Sequence, residues 1–169
     1  MATFIKCIIT KVSLFIASLI AVASLALSVS TTVTAQDAAT VIKDRKNHMK
    51  NINKPNIRKI MKSVKAGTAG PADAAAAAKI RVNMPKFMKL FPAGSGPGKI
   101  KTRAKDTIWS DFSGFQAKKD SLVKALVGFE AAAKSGNAAA ADKAMRTVVS
   151  ACNGCHKAYG GWRRIKLKK

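Results

Sequence analysis

The chain has 169 residues, 48% of them hydrophobic, and carries 31 Lys and Arg against 8 Asp and Glu, a formal charge of +23. That length suits one domain with a real core rather than several. The charge implies attraction to anionic surfaces: an acidic protein, a phospholipid headgroup layer or nucleic acid. Lys and Arg are spread along every segment, so the charge reads first as a solvated face.

Residues 1–35 read as a secretory signal peptide. Lys6 and Lys11 form a positive n-region, residues 12–27 are almost wholly apolar or small, and Val33-Thr34-Ala35 is a small-residue cleavage site ahead of Gln36. An uncleaved membrane anchor is the competing reading, because the apolar stretch runs long. Export excludes nucleic acid as a partner. Cleavage would take 35 of the 169 residues and leave 134; losing Lys6 and Lys11 brings +23 to +21. Cys7 lies in the removed segment as an incidental small apolar residue, since a lipoprotein cysteine would sit at the cleavage site.

Four helical blocks follow. The first covers about residues 38–65, where Val41, Ile42, His48 or Met49, Ile52, Ile57, Ile60, Met61 and Val64 approximate a helical stripe. Asp37 is its expected N-cap and Gly67 its stop, and Pro55 predicts a kink. The second starts at Pro71, with Asp73 in its first turn, and runs through five alanines to about Leu90, with Pro85 straining its second half. The alanine run favours helix and lets a neighbour approach closely. Residues 91–103, with Pro92, Gly94, Gly96, Pro97 and Gly98, are a loop. The third block covers residues 107–134, broken near Asp111, with an apolar face of Ile108, Trp109, Phe112, Phe115, Leu122, Val123, Leu126 and Phe129; Ser135-Gly136-Asn137 ends it. The fourth covers residues 138–159 and ends at Gly160-Gly161. No alternating strand pattern appears, so the fold class is all-α, an antiparallel four-helix bundle by default. The tail, residues 163–169, is a concentrated basic patch, and Trp162 beside it makes a weak membrane-surface contact conceivable.

The last helix carries Cys152-Asn153-Gly154-Cys155-His156, the Cys-x-x-Cys-His spelling of a covalent haem c attachment site. Two thiols add across the two vinyl groups of one haem, so they must sit a short fixed distance apart. Positions three apart share a helix face. His156, directly after the second cysteine, projects toward the iron as an axial ligand. Other uses of the pair fit less well. A redox dithiol usually needs a βαβ setting. A structural zinc site wants four ligands, against the two Cys and two His, His48 and His156, left after cleavage. A disulfide three residues apart on a helix is strained. Haem attachment in bacteria occurs outside the cytoplasmic membrane, so motif and signal peptide agree on a periplasmic protein.

The chain resembles the class II c-type cytochromes, the cytochrome c′ family, over nearly all of residues 36–169. The markers are the motif close to the carboxyl end, Arg45-x-x-x-Met49 on the first helix, Ile108-Trp109 followed by Phe115, and Leu90-Phe91-Pro92 before the glycine-rich loop. The resemblance implies a four-helix bundle with one haem c near one end, and a homodimer through the first two helices. It also implies that Met49 is either the sixth iron ligand of the low-spin, electron-carrying branch or an apolar plug over a vacant position that binds nitric oxide or carbon monoxide. Arg45, one turn before Met49, is implied to sit by the haem and pair with a propionate, or else to face solvent. His48 points about 100° around the helix from Met49 and reads as a surface or edge residue, with sixth ligation as its other role. The family commonly carries an arginine directly after the aromatic that ends the motif helix; here Gly160 follows Tyr159. Trp109 and Tyr159 are expected to pack around the haem or core. The expectation is a periplasmic electron carrier, not an enzyme, with an acidic redox partner. A peroxidase would need a polar distal acid–base group, for which His48 is the one histidine candidate.

Overall fold

A computed structural model describes residues 35–160 and 165–167. The hydrophobic part of the signal segment, Cys7, Trp162 and most of the tail lie outside the described residues. The elements are α1 (Ala35–His48), a π turn (Met49–Asn53), α2 (Lys54–Lys65), α3 (Pro71–Met88), α4 (Thr107–Ser110), α5 (Phe112–Lys134) and α6 (Ala138–Tyr159). The first bundle helix is α1, the π turn and α2 in series; α3, α4 with α5, and α6 are the other three. Helix α2 packs on α3 and α6, and α5 packs on the same two. The four therefore close into a bundle. Among the described residues no helix is long and apolar enough to cross a membrane.

Pro55 acts as the sequence predicts but in a particular form. It has no N–H, and its ring collides with the carbonyl four residues earlier, that of Asn51. The chain widens ahead of it into a π turn, in which the Lys54 N–H bonds to the Met49 carbonyl. The Asn56 side chain donates to the Ile52 carbonyl at 2.6 Å, so that acceptor keeps a partner through the distortion. Pro85 is milder: α3 continues through it to Met88, one turn further. Asp37 lies in the first turn of α1 rather than at its cap, where its charge still suits the amino end of the helix dipole.

The larger core joins Ile60 and Val64 of α2, Ile80 and Met84 of α3, Leu126 and Phe129 of α5, and Met145 and Val148 of α6. Ala74, Ala76 and Ala77 present the small face of α3 to it, which leaves room for Phe129, fully buried. Arg81 grips Glu130 through two bonds of 2.7 and 3.0 Å and ties α3 to α5. Asp111 breaks the third bundle helix as expected: its side chain accepts the Gly114 N–H at 3.0 Å and starts α5. Asn137 does the same for α6 through the Ala140 N–H.

A second, aromatic cluster of Phe91, Ile108, Phe115 and Tyr159 is joined by Phe87 and Trp109. Trp109 Nε1 donates to the carbonyls of Phe91 and Pro92, at 3.2 and 2.9 Å, and holds the loop before α4 in place.

Candidate haem site

The motif occupies the last two turns of α6. Cys152 and Cys155 are free thiols, both half-buried. Cys152 packs against the larger core and Cys155 against the aromatic cluster, so the pair straddles the boundary between them. Burial pushes the Cys152 thiol up to about 12, with the charge of Cys155 adding to it, and burial raises Cys155 as well. Burial lowers His156, which keeps its imidazole neutral, the form that can bind a metal. Its Nδ1 is buried without a partner.

On the first bundle helix, Arg45 is 6% exposed, which removes the solvent-facing reading. Its guanidinium lies 4.7 Å from the Phe91 ring centre and 5.7 Å from that of Trp109, and Nη2 donates to the Ser95 carbonyl. Ser95 is fully buried and its hydroxyl donates to Pro92 O at 2.7 Å, which fixes that carbonyl's loop. Burial brings the guanidinium down to about 10. Nε and Nη1 have no partner. Met49 opens the π turn one helical turn later, half-buried, and its Sδ accepts the Asn53 Nδ2 amide proton at 2.9 Å.

His48 differs from its expected surface position. It is 9% exposed and its ring lies 4.9 Å from that of Phe87. The reason is spacing: His48 follows Arg45 by three residues and shares its face. Burial lowers its pKa, and Nε2 has no partner.

The loop before α4 and the first residue of α4 together close the end of α6. Lys105 N–H donates to Tyr159 O at 3.0 Å, Lys105 Nζ to Lys157 O at 2.8 Å and Thr107 Oγ1 to Ala158 O at 3.1 Å, so the last carbonyls of the helix are satisfied. Tyr159 donates its hydroxyl proton to Asp111 Oδ2 at 2.6 Å. Gly160 has φ +93°, and a Cβ there would overlap the Arg103 carbonyl. Asn153, between the two cysteines, grips the backbone of Ile165 in both directions, at 3.0 and 2.8 Å. Asn53 and Asn153 carry no site signal in the sequence, because their partners are a side chain across the π turn and the backbone of Ile165; Asp111 is legible as a helix break but not as the partner of Tyr159.

These residues fit a haem. Five buried atoms without partners, Arg45 Nε and Nη1, His48 Nε2, Asn53 Oδ1 and His156 Nδ1, belong to the first bundle helix and the motif; among the described residues only Asp73 Oδ1 is orphaned elsewhere. A buried guanidinium is costly unless an anion meets it, and its two free N–H groups match a carboxylate such as a propionate. The cysteine pair offers two sulfurs on one face, with a neutral imidazole beside them.

A four-helix bundle whose last helix ends in this motif defines a class II c-type cytochrome. The Cytochrome C′ family model matches residues 40–160, and the chain belongs to that family, whose proteins bind one covalent haem c. The chain is 36% identical over 92 residues to the cytochrome c′ of Rubrivivax gelatinosus, over 53% of this chain and 71% of the relative. A solved Rhodobacter cytochrome c′ is 28% identical with a TM-score of 0.58, covering 75% of this chain and 98% of that one. A ferrous variant of the Alcaligenes xylosoxidans cytochrome c′, solved with bound NO, is 26% identical with a TM-score of 0.50, covering 75% and 97%.

Proposed function

We propose that the protein is a periplasmic electron carrier, exported by residues 1–35 and cleaved before Gln36, in which Cys152 and Cys155 hold the haem by thioether links, His156 is the proximal ligand and Met49 the sixth. The observation that carries it is the Met49 thioether, set one turn beyond Arg45 and fixed by Asn53. Bound haem supplies a one-electron iron(III)/iron(II) couple. The chain's own residues do the rest. Burial keeps His156 neutral and ready to donate to a metal. Arg45, whose Nε and Nη1 have no partner in the protein, would hold a propionate of the bound haem, and that anion would offset the cost of its burial. Phe91 and Trp109 flank that charge and keep water from it. A soft thioether suits ferrous haem iron, and Met/His ligation raises the potential. No substrate is turned over, so the protein is not an enzyme; its partner is an acidic redox protein.

Met49→Leu tests this. It nearly conserves volume, so packing survives. The wild-type ferric protein is expected to be low-spin with the weak near-infrared methionine–iron charge-transfer band. The variant is expected to lose that band, shift toward high spin, fall in reduction potential and bind carbon monoxide faster. An unchanged spectrum refutes ligation by Met49. A low-spin spectrum that persists without the band would point to His48. The Alcaligenes relative with NO bound favours a second reading, in which Met49 is a distal plug and the protein captures nitric oxide or carbon monoxide; a high-spin wild type selects it. Intact mass of the exported protein tests cleavage: a mass that includes residues 1–35 makes the segment an anchor. A homodimer belongs to the same proposal and is read by sedimentation.

A further inference from the structure

Asn53 is a buried polar side chain, 8% exposed, on the π turn four residues after Met49. Its Nδ2 lies 2.9 Å from Met49 Sδ, while its Oδ1 is buried with no partner. A thioether sulfur accepts and never donates, so only the amide's N–H side can face it. Leaving Oδ1 unsatisfied is costly, and a leucine of the same size would remove that cost. What the amide gains in exchange is the contact with the sulfur. The π turn produces the juxtaposition. It takes more residues per revolution than an α turn, so residues four apart come closer to alignment along the axis. Pro55 keeps the turn from relaxing to α geometry, because the Asn51 carbonyl cannot pass its ring.

We infer that Asn53 is a positioning residue for Met49: its amide takes one sulfur lone pair, aims the other, and so sets how readily an outside ligand reaches the distal side of the iron. This rests on Met49 facing the haem. Partners behind a ligating atom commonly orient it and tune the metal.

The test is a double-mutant cycle on the ferrous holoprotein, read by the rate of carbon monoxide association in wild type, Asn53→Leu, Met49→Leu and the double variant. With Met49 present, Asn53→Leu is expected to speed binding about three- to tenfold, the loss of one hydrogen bond of ordinary net strength. In the Met49→Leu background the same change is expected to alter the rate by less than about twofold, as for uncoupled sites. Asn53→Ala, which cannot overpack, is expected to give the same sign. In a low-spin wild type, the charge-transfer band is expected to shift in Asn53→Leu. No change with Met49 present, or an equal change in both backgrounds, overturns the inference. The wild-type ferric spectrum judges ligation separately. A high-spin wild type removes Met49 as a ligand, while the cycle still reads whether Asn53 holds it as a plug. A carbon monoxide rate indifferent to Met49→Leu overturns the placement of Met49 and this inference with it.

Discussion

Tyr159 is the single tyrosine of the chain, which makes its hydrogen bond to Asp111 measurable. That bond, with burial adding to it, raises the phenol to about 12. The same bond, followed by the Gly114 N–H, holds the Asp111 carboxyl below its usual range. The two signs differ. The raised phenol contributes stability in full below the unfolded value of about 10, and loses it as pH climbs through about 12. The lowered carboxyl contributes above the unfolded value of about 3.9 and loses it as pH falls through its depressed one. Difference absorbance of the phenolate is expected to show one folded-state transition near 12 in wild type, moving toward 10 in Asp111→Asn. A wild-type transition already near 10 would mean that the bond is absent in solution. Gly114 guards the contact: a Cβ there would overlap both Asp111 Oδ2 and Tyr159 OH, so Gly114→Ala is expected to lower the phenol's transition too.

At the scale of elements, the end of α6 lacks the arginine that the family resemblance implies, and Gly160 stands there for a structural reason. Gly160 adopts φ +93° so that the chain can pair with Ala104, and the space beyond its Cα is filled by the Arg103 carbonyl. Gly160→Arg, which places there the residue that the resemblance implies, is expected to destabilise the folded protein by about 1–3 kcal/mol, the usual cost of a strained backbone position. Thermal unfolding of the ferric holoprotein is expected to fall by several degrees. An unchanged midpoint would show that residues 103–105 give way without cost. How far such elements were legible depends on the range of the interaction. Pro55, Asp111 and Ser135-Gly136-Asn137 act on their own neighbours, so a kink, a break and a helix end were readable, while the Asn137 cap that starts α6 was not. Nor was the kink's form. Which carbonyl a proline displaces is a local rule, but whether the helix bends, breaks or widens depends on the packing around it. The residue type of His48 suggests the surface, but its three-residue step from Arg45 gives it the same face, which the structure buries. Arg45, Met49 and the motif were legible as a pattern and residues 91–103 as a loop, but that this loop meets Arg45 through Ser95, fifty residues away, had no signal in the sequence.

For the whole molecule, the question is what a charge of +23 does. The described cations are spread over all four bundle helices, and salt screening at about 0.15 M acts over about 8 Å. Broad attraction to an acidic partner is therefore expected to weaken smoothly with salt, without dependence on one patch. The tail looked like the exception, yet Ile165 and Leu167 turn inward and pack on the larger core, and Asn153 clamps Ile165. Within the tail, the described residues thus serve stability as well as charge. Deleting residues 163–169 removes five positive charges and this clamp together, so it confounds the two. Asn153→Ala separates them, because it frees the tail and keeps every charge. Losing two side-chain bonds to backbone is expected to cost about 1–2 kcal/mol, with a fall of a few degrees in Tm. The salt dependence of association is expected to match wild type. Deletion is expected to lower Tm at least as far and to flatten the salt dependence only slightly, as five cations among the 29 left of 31 once cleavage takes Lys6 and Lys11 should. If Asn153→Ala instead abolishes association at unchanged Tm, the tail is a docking element whose geometry Asn153 sets, and the diffuse-charge account fails.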